Sequence, residues 1–148
     1  MPLTGEYEPS PTKWVRDQVA EYEASGGTRG TTLRETGLPV VIVTNLGARS
    51  GKLRKTPLMR VEHEGRYAAI ASQGGAPTHP AWYENLRAHP QVEVQDGPQK
   101  QDMSARELSG AEREQWWDRA VAAFPNYADY QRKTEREIPV LLLEPPAA

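Results

Sequence analysis

The residues best suited to bind a charged ligand lie in one basic stretch, 45–60. This stretch carries no carboxylate, although the whole chain has 20 acidic residues against 18 lysines and arginines. Its basic side chains are Arg49, Lys52, Arg54, Lys55 and Arg60. A Gly/Ser turn from Gly47 to Gly51 adds backbone N–H dipoles, which suit phosphate or carboxylate groups. The pattern predicts an anion cradle, and a solvated basic hairpin is the alternative that spacing leaves open.

This turn does not match a nucleotide-binding P-loop. The spacing from Gly47 to Gly51 is one residue short of that motif, and Leu53 stands where the motif requires a magnesium-binding Ser or Thr. The turn therefore predicts a generic anion site built from Arg49, Ser50 and their neighbours.

Other reactive side chains are too scattered for hydrolytic or metal chemistry. The chain has no cysteine, and His63, His79 and His89 show no ligand spacing, so we predict no metal site. Ser50 and Ser72 lack a nucleophile elbow and are interpreted as hydrogen-bonding groups. An acidic pI near 5.9, with basic charge confined to one stretch, argues against nucleic acid as a partner.

Aromatic rings beside glycine-rich segments are the remaining candidates. Trp82 and Tyr83 follow the Gly/Pro-rich segment 72–80, and Tyr127 and Tyr130 are three residues apart and share a helix face. Packing in the core and stacking on a planar heterocycle both remain open for these rings.

Hydrophobic periodicity and turn signals predict the elements that position these groups. The predicted strands are Pro39–Thr44, Thr56–His63, Tyr67–Ser72, Gln91–Gln95, Lys100–Leu108 and Ile138–Leu143. The predicted helices are Pro11–Ser25 with Ser10 as cap, Pro80–Ala88, one begun by a Ser109–Glu112 capping box, and one capped by Asn126. About six strands with few helices predict a mainly β (α+β) fold, a small antiparallel barrel decorated by helices.

Length and composition favour one domain, since 148 residues can bury a core and no linker is visible. Residues 1–6 lack the features of a signal peptide, and no apolar run approaches membrane-spanning length. We therefore expect a cytoplasmic protein, with peripheral contact with a membrane left open.

Four blocks in order resemble the deazaflavin-dependent nitroreductase family. They are Gly47-x-x-Ser50-Gly51-x-x-Arg54-x-x-Pro57-Leu58, Ala71-Ser72-x-Gly74-Gly75, His79-Pro80-x-Trp82-Tyr83-x-Asn85-Leu86 and Pro125-x-Tyr127-x-x-Tyr130. The resemblance implies a split β-barrel that binds the deazaflavin coenzyme F420. It divides the chain into an N-terminal amphipathic helix and loop, 1–30, and a deazaflavin-binding domain, 31–148.

The resemblance also implies a set of site residues. The anionic phospholactyl-oligoglutamate tail and one cofactor edge would contact Ala48, Arg49, Ser50, Arg54, Lys55, Thr56, Pro57, Leu58 and Met59. The ring and polyol would contact Ile70, Ala71, Ser72, Gln73, Ala81, Trp82, Tyr83, Glu84 and Asn85. Tyr127 would lie over the ring, with Tyr130 and Ser72 as further catalytic residues. Small residues at Ala68, Ala69 and Ala71 would leave room for a flat ring.

The implied activity is hydride transfer from reduced F420 to a quinone-like or other activated acceptor, including nitro compounds in some members. Phe124 stands where nitro-active members tend to carry a tyrosine, and Met59 occupies a position that is aromatic in them. The resemblance therefore implies cofactor binding more strongly than nitro activity. Two alternatives stay open: a non-catalytic deazaflavin carrier and an FMN-dependent oxidoreductase on the same barrel. A homodimer also stays open.

Overall fold

The computed structural model describes residues 3–33 and 36–146, which form one curled antiparallel sheet and four helices. The strands are β1 (Val40–Leu46), β2 (Leu53–Met59), β3 (Glu62–His63), β4 (Arg66–Ile70), β5 (Gln91–Asp96), β6 (Gln99–Glu107) and β7 (Val140–Glu144). The helices are α1 (Lys13–Ala24), α2 (Ala81–Ala88), α3 (Gly110–Ala123) and α4 (Asn126–Lys133). The strand order is β2-β1-β5-β6-β7-β4-β3. The predicted mainly β fold, a small barrel decorated by helices, is confirmed, and the barrel is a half-barrel.

The inner face of the sheet encloses one hydrophobic cluster, which α2 completes. Val41 and Val43 of β1 point into it, as the two-residue period of a strand requires. Side chains from β4, β5, β6 and β7 meet there, together with Tyr83 and Leu86 of α2. Because strands from distant positions in the sheet order share this cluster, the sheet must curl around it.

The outer face carries a second cluster, which α1, α3 and α4 cover. Val40 and Ile42 of β1 point outward, where Val19 and Tyr22 of α1 are buried in the same cluster. The Tyr22 hydroxyl also accepts a hydrogen bond from the Gly97 N–H at 2.7 Å. The contact ties α1 to the turn between β5 and β6.

One strand prediction is corrected by the structure. The predicted strand Thr56–His63 is wrong, because β2 begins at Leu53 and the chain leaves the ladder between Met59 and Glu62. The earlier start arises because β2 pairs with the whole of β1, from Val40 opposite Met59 to Leu46 opposite Leu53. Arg54 and Lys55 therefore lie on β2, whereas Arg49, Lys52 and Arg60 lie outside the strand.

Helix starts also differ from the sequence patterns. Thr12, not Ser10, precedes α1, although the Ser10 hydroxyl accepts a hydrogen bond from the Thr12 N–H at 3.1 Å. Ser109 caps the start of α3 as predicted, but the hydrogen bonds of the capping box do not form, and Glu112 binds Arg106 instead. Likewise, Pro125 takes the capping position predicted for Asn126.

None of the helices within the described ranges is long and apolar enough to cross a membrane.

Candidate active site

An apolar cavity of about 330 Å³ opens between the sheet, α1 and α4. Ten predicted site residues line it: Thr56, Pro57, Leu58, Met59, Ile70, Ser72, Gln73, Trp82, Tyr127 and Tyr130. Its remaining wall is formed by Trp14, Val15, Leu33, Gly74, Pro80 and Phe124. The structure therefore brings together residues from four segments that are far apart in the sequence.

Aromatic side chains of α4 and the end of α3 form one side of this cavity. Tyr127 is 5% exposed, and its ring packs edge-on against Phe124 at 5.0 Å and against Tyr130 at 6.3 Å between centroids. Burial raises the pKa of Tyr127 above its ordinary value, and neighbouring Tyr130 adds to the shift. Tyr127 therefore stays protonated at neutral pH and can donate a hydrogen bond into the cavity.

The segment from Ala71 to His79 forms the opposite side and is held by Arg136, which the sequence analysis missed. The Arg136 guanidinium donates to the carbonyls of Ala71 at 3.1 Å, Ser72 at 2.8 Å and Ala76 at 2.9 Å. It also lies 2.9 Å from His79 Nδ1. An arginine bound to backbone carbonyls leaves no pairing signal in the sequence, and so no pattern would have identified it.

Within this segment the chain makes a short 3₁₀ turn where the sequence predicted no regular structure. Gln73, Gly74 and Gly75 all have positive φ, of 44°, 64° and 82°. At Gly75 an added Cβ would lie 2.7 Å from the backbone carbonyl oxygen of Tyr130. The turn therefore packs directly against α4, which explains the need for glycine there.

A second cleft, of about 420 Å³, adjoins the apolar cavity at the first turn of α2. Its lining residues are Glu8, Gly47, Ala48, Arg49, Ser50, Arg54, Ala81, Glu84 and Asn85. Ala81 lies between Pro80 and Trp82, which line the apolar cavity, and so one helix start borders both spaces. We refer to this second space as the arginine cleft.

The Gly/Ser turn of the arginine cleft is held against α2 by two asparagines. Asn85 Nδ2 donates to Asn45 Oδ1 at 2.9 Å, and Asn85 Oδ1 accepts from the Ala48 N–H at 2.9 Å. Asn45 is fully buried, and its Nδ2 has no partner among the described residues. The pair fixes the distance between the turn and the helix.

Acids from other segments neutralise most of the basic stretch. Lys52, Arg54 and Lys55 pair with Glu6, Glu8 and Glu23 respectively, and Arg60 pairs with Asp96. Within the described part of the chain, no carboxylate forms an ion pair with Arg49. The strong local positive charge that the sequence suggests is therefore much weaker in the folded protein.

Three predicted cofactor-binding residues lie outside both spaces. Lys55 pairs with Glu23 and lies 5.1 Å from the centroid of the Tyr7 ring. Ala71 is fully buried, and Tyr83 lies in the inner cluster.

Tyr83 donates to Glu107 at 2.6 Å, and burial together with this hydrogen bond raises the pKa of Tyr83 to about 12. Ala68, Ala69 and Ala71 do not leave room for a ring, because the sheet's own packing fills the space around them.

The chemistry of these two neighbouring spaces suits a flat ring with a long anionic tail. The apolar cavity offers aromatic walls and few charges, as a planar heterocycle requires. The arginine cleft offers Arg49, which lacks an acidic partner in the described ranges, and the Ser50 hydroxyl. The donor set is therefore consistent with a deazaflavin that carries a phosphate and carboxylates.

These features define a split-barrel reductase that uses a deazaflavin. Residues 14–145 match the model of the F420H(2)-dependent quinone reductase family, and the chain belongs to this family. The F420H(2)-dependent quinone reductase Rv1261c of Mycobacterium tuberculosis (strain ATCC 25618 / H37Rv) is 32% identical over 108 residues, which are 71% of this chain and 72% of the relative.

Two solved structures extend the comparison. One, an F420-H2 dependent reductase (FDR-A), is 57% identical with a TM-score of 0.69. The match covers 72% of this chain and 94% of the chain in that structure. The other, described as a domain-swapped dimer, is 52% identical with a TM-score of 0.71. The match covers 91% of this chain and 100% of the chain in that structure. The predicted oxidoreductase class and the predicted cofactor, reduced F420, are confirmed.

Proposed function

We propose that the chain reduces a quinone-like acceptor in the apolar cavity while the tail of F420 lies in the arginine cleft. The observation that carries this proposal is that neighbouring residues at the start of α2 line both spaces, Pro80 and Trp82 the apolar cavity and Ala81 the arginine cleft. A ring placed beside Trp82 can extend its polyol past Ala81 toward Arg49 without crossing the sheet. One bound cofactor would then occupy both spaces.

The cavity residues then have distinct roles. When bound, reduced F420 supplies a hydride, so the protein must mainly orient the reactants and stabilise developing charge. Tyr127, which stays protonated, donates a hydrogen bond to the acceptor oxygen, with Tyr130 beside it. Ser72 and Gln73 position the ring from the opposite side, and the surrounding apolar walls exclude water.

We also propose that quinone-like acceptors are preferred over nitro compounds, although the resemblance named a nitroreductase family. Phe124 and Met59 line the cavity, and neither provides a hydroxyl that could bind a nitro oxygen. The family description and the name of the mycobacterial relative both specify quinones, which supports this preference.

Assembly and location follow as further proposals. The structure described as a domain-swapped dimer supports a homodimer for this chain as well. A cytoplasmic location and peripheral contact with a membrane stay predictions, as does the division into residues 1–30 and 31–148.

Cofactor titration followed by turnover tests the proposed function. F420 fluorescence should change on binding at micromolar protein, and reduced F420 should be consumed when menadione is added. Binding without consumption would instead indicate the carrier. A yellow purified protein that ignores F420 would indicate the FMN-dependent alternative.

A further inference from the structure

An extended N-terminal segment, residues 6–8, lies along the edge of β2 beside the arginine cleft. The Glu8 N–H donates to the Leu53 carbonyl at 2.9 Å, and the Leu53 N–H donates to the Glu6 carbonyl at 2.8 Å. These bonds form a parallel bridge between Tyr7 and Leu53. Because side chains alternate along extended backbone, Glu6 and Glu8 share a side, which faces the basic residues of β2.

Glu8 reaches the arginine cleft and pairs there with Arg54. Both side chains line the cleft, and they are 44% and 29% exposed, so water still reaches the pair. Glu84 of α2 also lines the cleft, whose two arginines are thus balanced by two glutamates. An anion that enters this cleft meets a carboxylate already bound to Arg54.

We propose that Glu8 is a specificity-determining residue, which competes with the anionic cofactor tail for Arg54 and so limits the contribution of the tail to affinity. This inference rests on the proposed position of the tail in the arginine cleft. A partly exposed ion pair contributes little stability, so the tail can displace Glu8 from Arg54. The displaced carboxylate stays tethered by the backbone bridge to Leu53, and its repulsion of the tail remains.

The position of Glu8 has a consequence for selectivity among deazaflavins. Repulsion from Glu8 acts on phosphate and carboxylate groups and not on the neutral ring and polyol. The effect should therefore weaken with added salt and should vanish for a deazaflavin chromophore that has the polyol but no phosphate or glutamate.

Equilibrium binding, followed by cofactor fluorescence, tests this inference with three proteins: wild type, Glu8→Gln and the matched control Glu6→Gln. Glu6 lies on the same segment, is 77% exposed and stands 4.0 Å from Lys52. At low salt, Glu8→Gln should tighten F420 binding about 5- to 10-fold, and the gain should fall below about twofold near 0.5 M salt. The Glu6→Gln protein should stay within about twofold of wild type, and all three should bind the tailless chromophore equally.

Each failure has a separate meaning. If wild type does not bind F420, the proposed function is wrong. If wild type binds F420 but Glu8→Gln binds it no more tightly, the function stands and the inference about Glu8 is overturned.

An equal gain for the tailless chromophore would also overturn the inference, because the tail would not be the group that Glu8 repels. In an Arg54→Ala background the Glu8→Gln gain should shrink, because only the repulsion between Glu8 and the tail remains there. A gain of undiminished size in that background contradicts competition for Arg54.

Discussion

Tyr127 is deeply buried, and its hydroxyl forms no hydrogen bond with any described residue. We expect Tyr127→Phe to lower kcat about tenfold, the cost of one hydrogen bond made in the transition state, with the F420 dissociation constant changed less than twofold. Steady-state kinetics with menadione and a fluorescence titration measure the two quantities. Tyr67→Phe is the control, because the Tyr67 hydroxyl binds Asp96 in the inner face of the barrel. Equal losses of kcat and affinity in Tyr127→Phe would make Tyr127 a packing residue.

Two cations of the basic stretch should differ in their contribution to cofactor affinity. Arg49 lacks an acidic partner in the described ranges, whereas Lys55 is bound to Glu23. We expect Arg49→Ala to weaken F420 binding about tenfold at low salt and less at high salt, because the lost bond is charge-assisted. Lys55→Met should keep affinity within about twofold but should lower the free energy of unfolding, because it leaves the largely buried Glu23 carboxylate without its cation. The reverse order of effects would place the tail on the Lys55 side of β2.

The sequence predicted the identity of the site residues better than their electrostatics. Spacing and resemblance led to most of the side chains that line the two spaces, since these motifs are local in the chain. The net charge of the arginine cleft could not be predicted in this way, because Glu8 reaches it from the N-terminal segment, which none of the site motifs includes. Arg136 was missed for a related reason: its hydrogen-bond acceptors are backbone carbonyls, and any residue can supply them.

At the scale of elements, the turn after β4 depends on one arginine from the segment after α4. We expect Arg136→Ala to lower kcat/KM at least tenfold, because the segment that carries Ser72 and Gln73 loses the hydrogen bonds from Arg136 to its backbone carbonyls. Arg113→Ala is a matched control, since Arg113 also donates to a backbone carbonyl, that of Ile138 at 2.7 Å, away from both spaces. Kinetics and thermal unfolding are measured for both proteins.

Restoring the activity of Arg136→Ala distinguishes a positioning role of Arg136 from a general effect on stability. Millimolar guanidinium should restore part of the activity of Arg136→Ala, and Arg136→Lys should keep more activity than Arg136→Ala. If both alanine variants lose similar stability and Arg136→Ala keeps kcat/KM within twofold of wild type, Arg136 has only a structural role.

Element boundaries were predicted correctly where the periodicity of the side chains determines them. They were predicted wrongly where pairing with another strand determines them. The buried run of β1 and the hairpin at Glu64 and Gly65, with φ of 54° and 78°, follow the local patterns. The start of β2 does not, because Leu53 joins the ladder only through its pairing with Leu46.

At the scale of the whole molecule, the two faces of the sheet serve different purposes. The inner cluster is closed by α2, whose first turn then borders both ligand spaces. The outer cluster joins α1, α3 and α4 to the same strands, so the helices that line the apolar cavity are also part of the core. Substitutions in this core should therefore affect stability and the acceptor site together.

Three tyrosines, Tyr67, Tyr83 and Tyr127, make the stability of the molecule sensitive to alkaline pH. Each is 5% exposed, and burial raises all three pKa values above the ordinary value of about 10. The folded state therefore keeps protons that the unfolded state releases above pH 10. The stabilising contribution is complete below pH 10 and is lost as pH rises through the folded-state pKa values.

Urea unfolding between pH 8 and about 12 measures this loss. Each tyrosine should add up to about 1.4 kcal/mol per pH unit to the decline in unfolding free energy above pH 10. Tyr67→Phe should reduce the decline by the contribution of one proton, because the Tyr67 hydroxyl donates to Asp96 at 2.6 Å in the folded state. Comparing each variant with wild type cancels the titration of lysines and arginines, which both proteins share. Identical slopes above pH 10 would mean that Tyr67 ionises equally in the folded and unfolded chains.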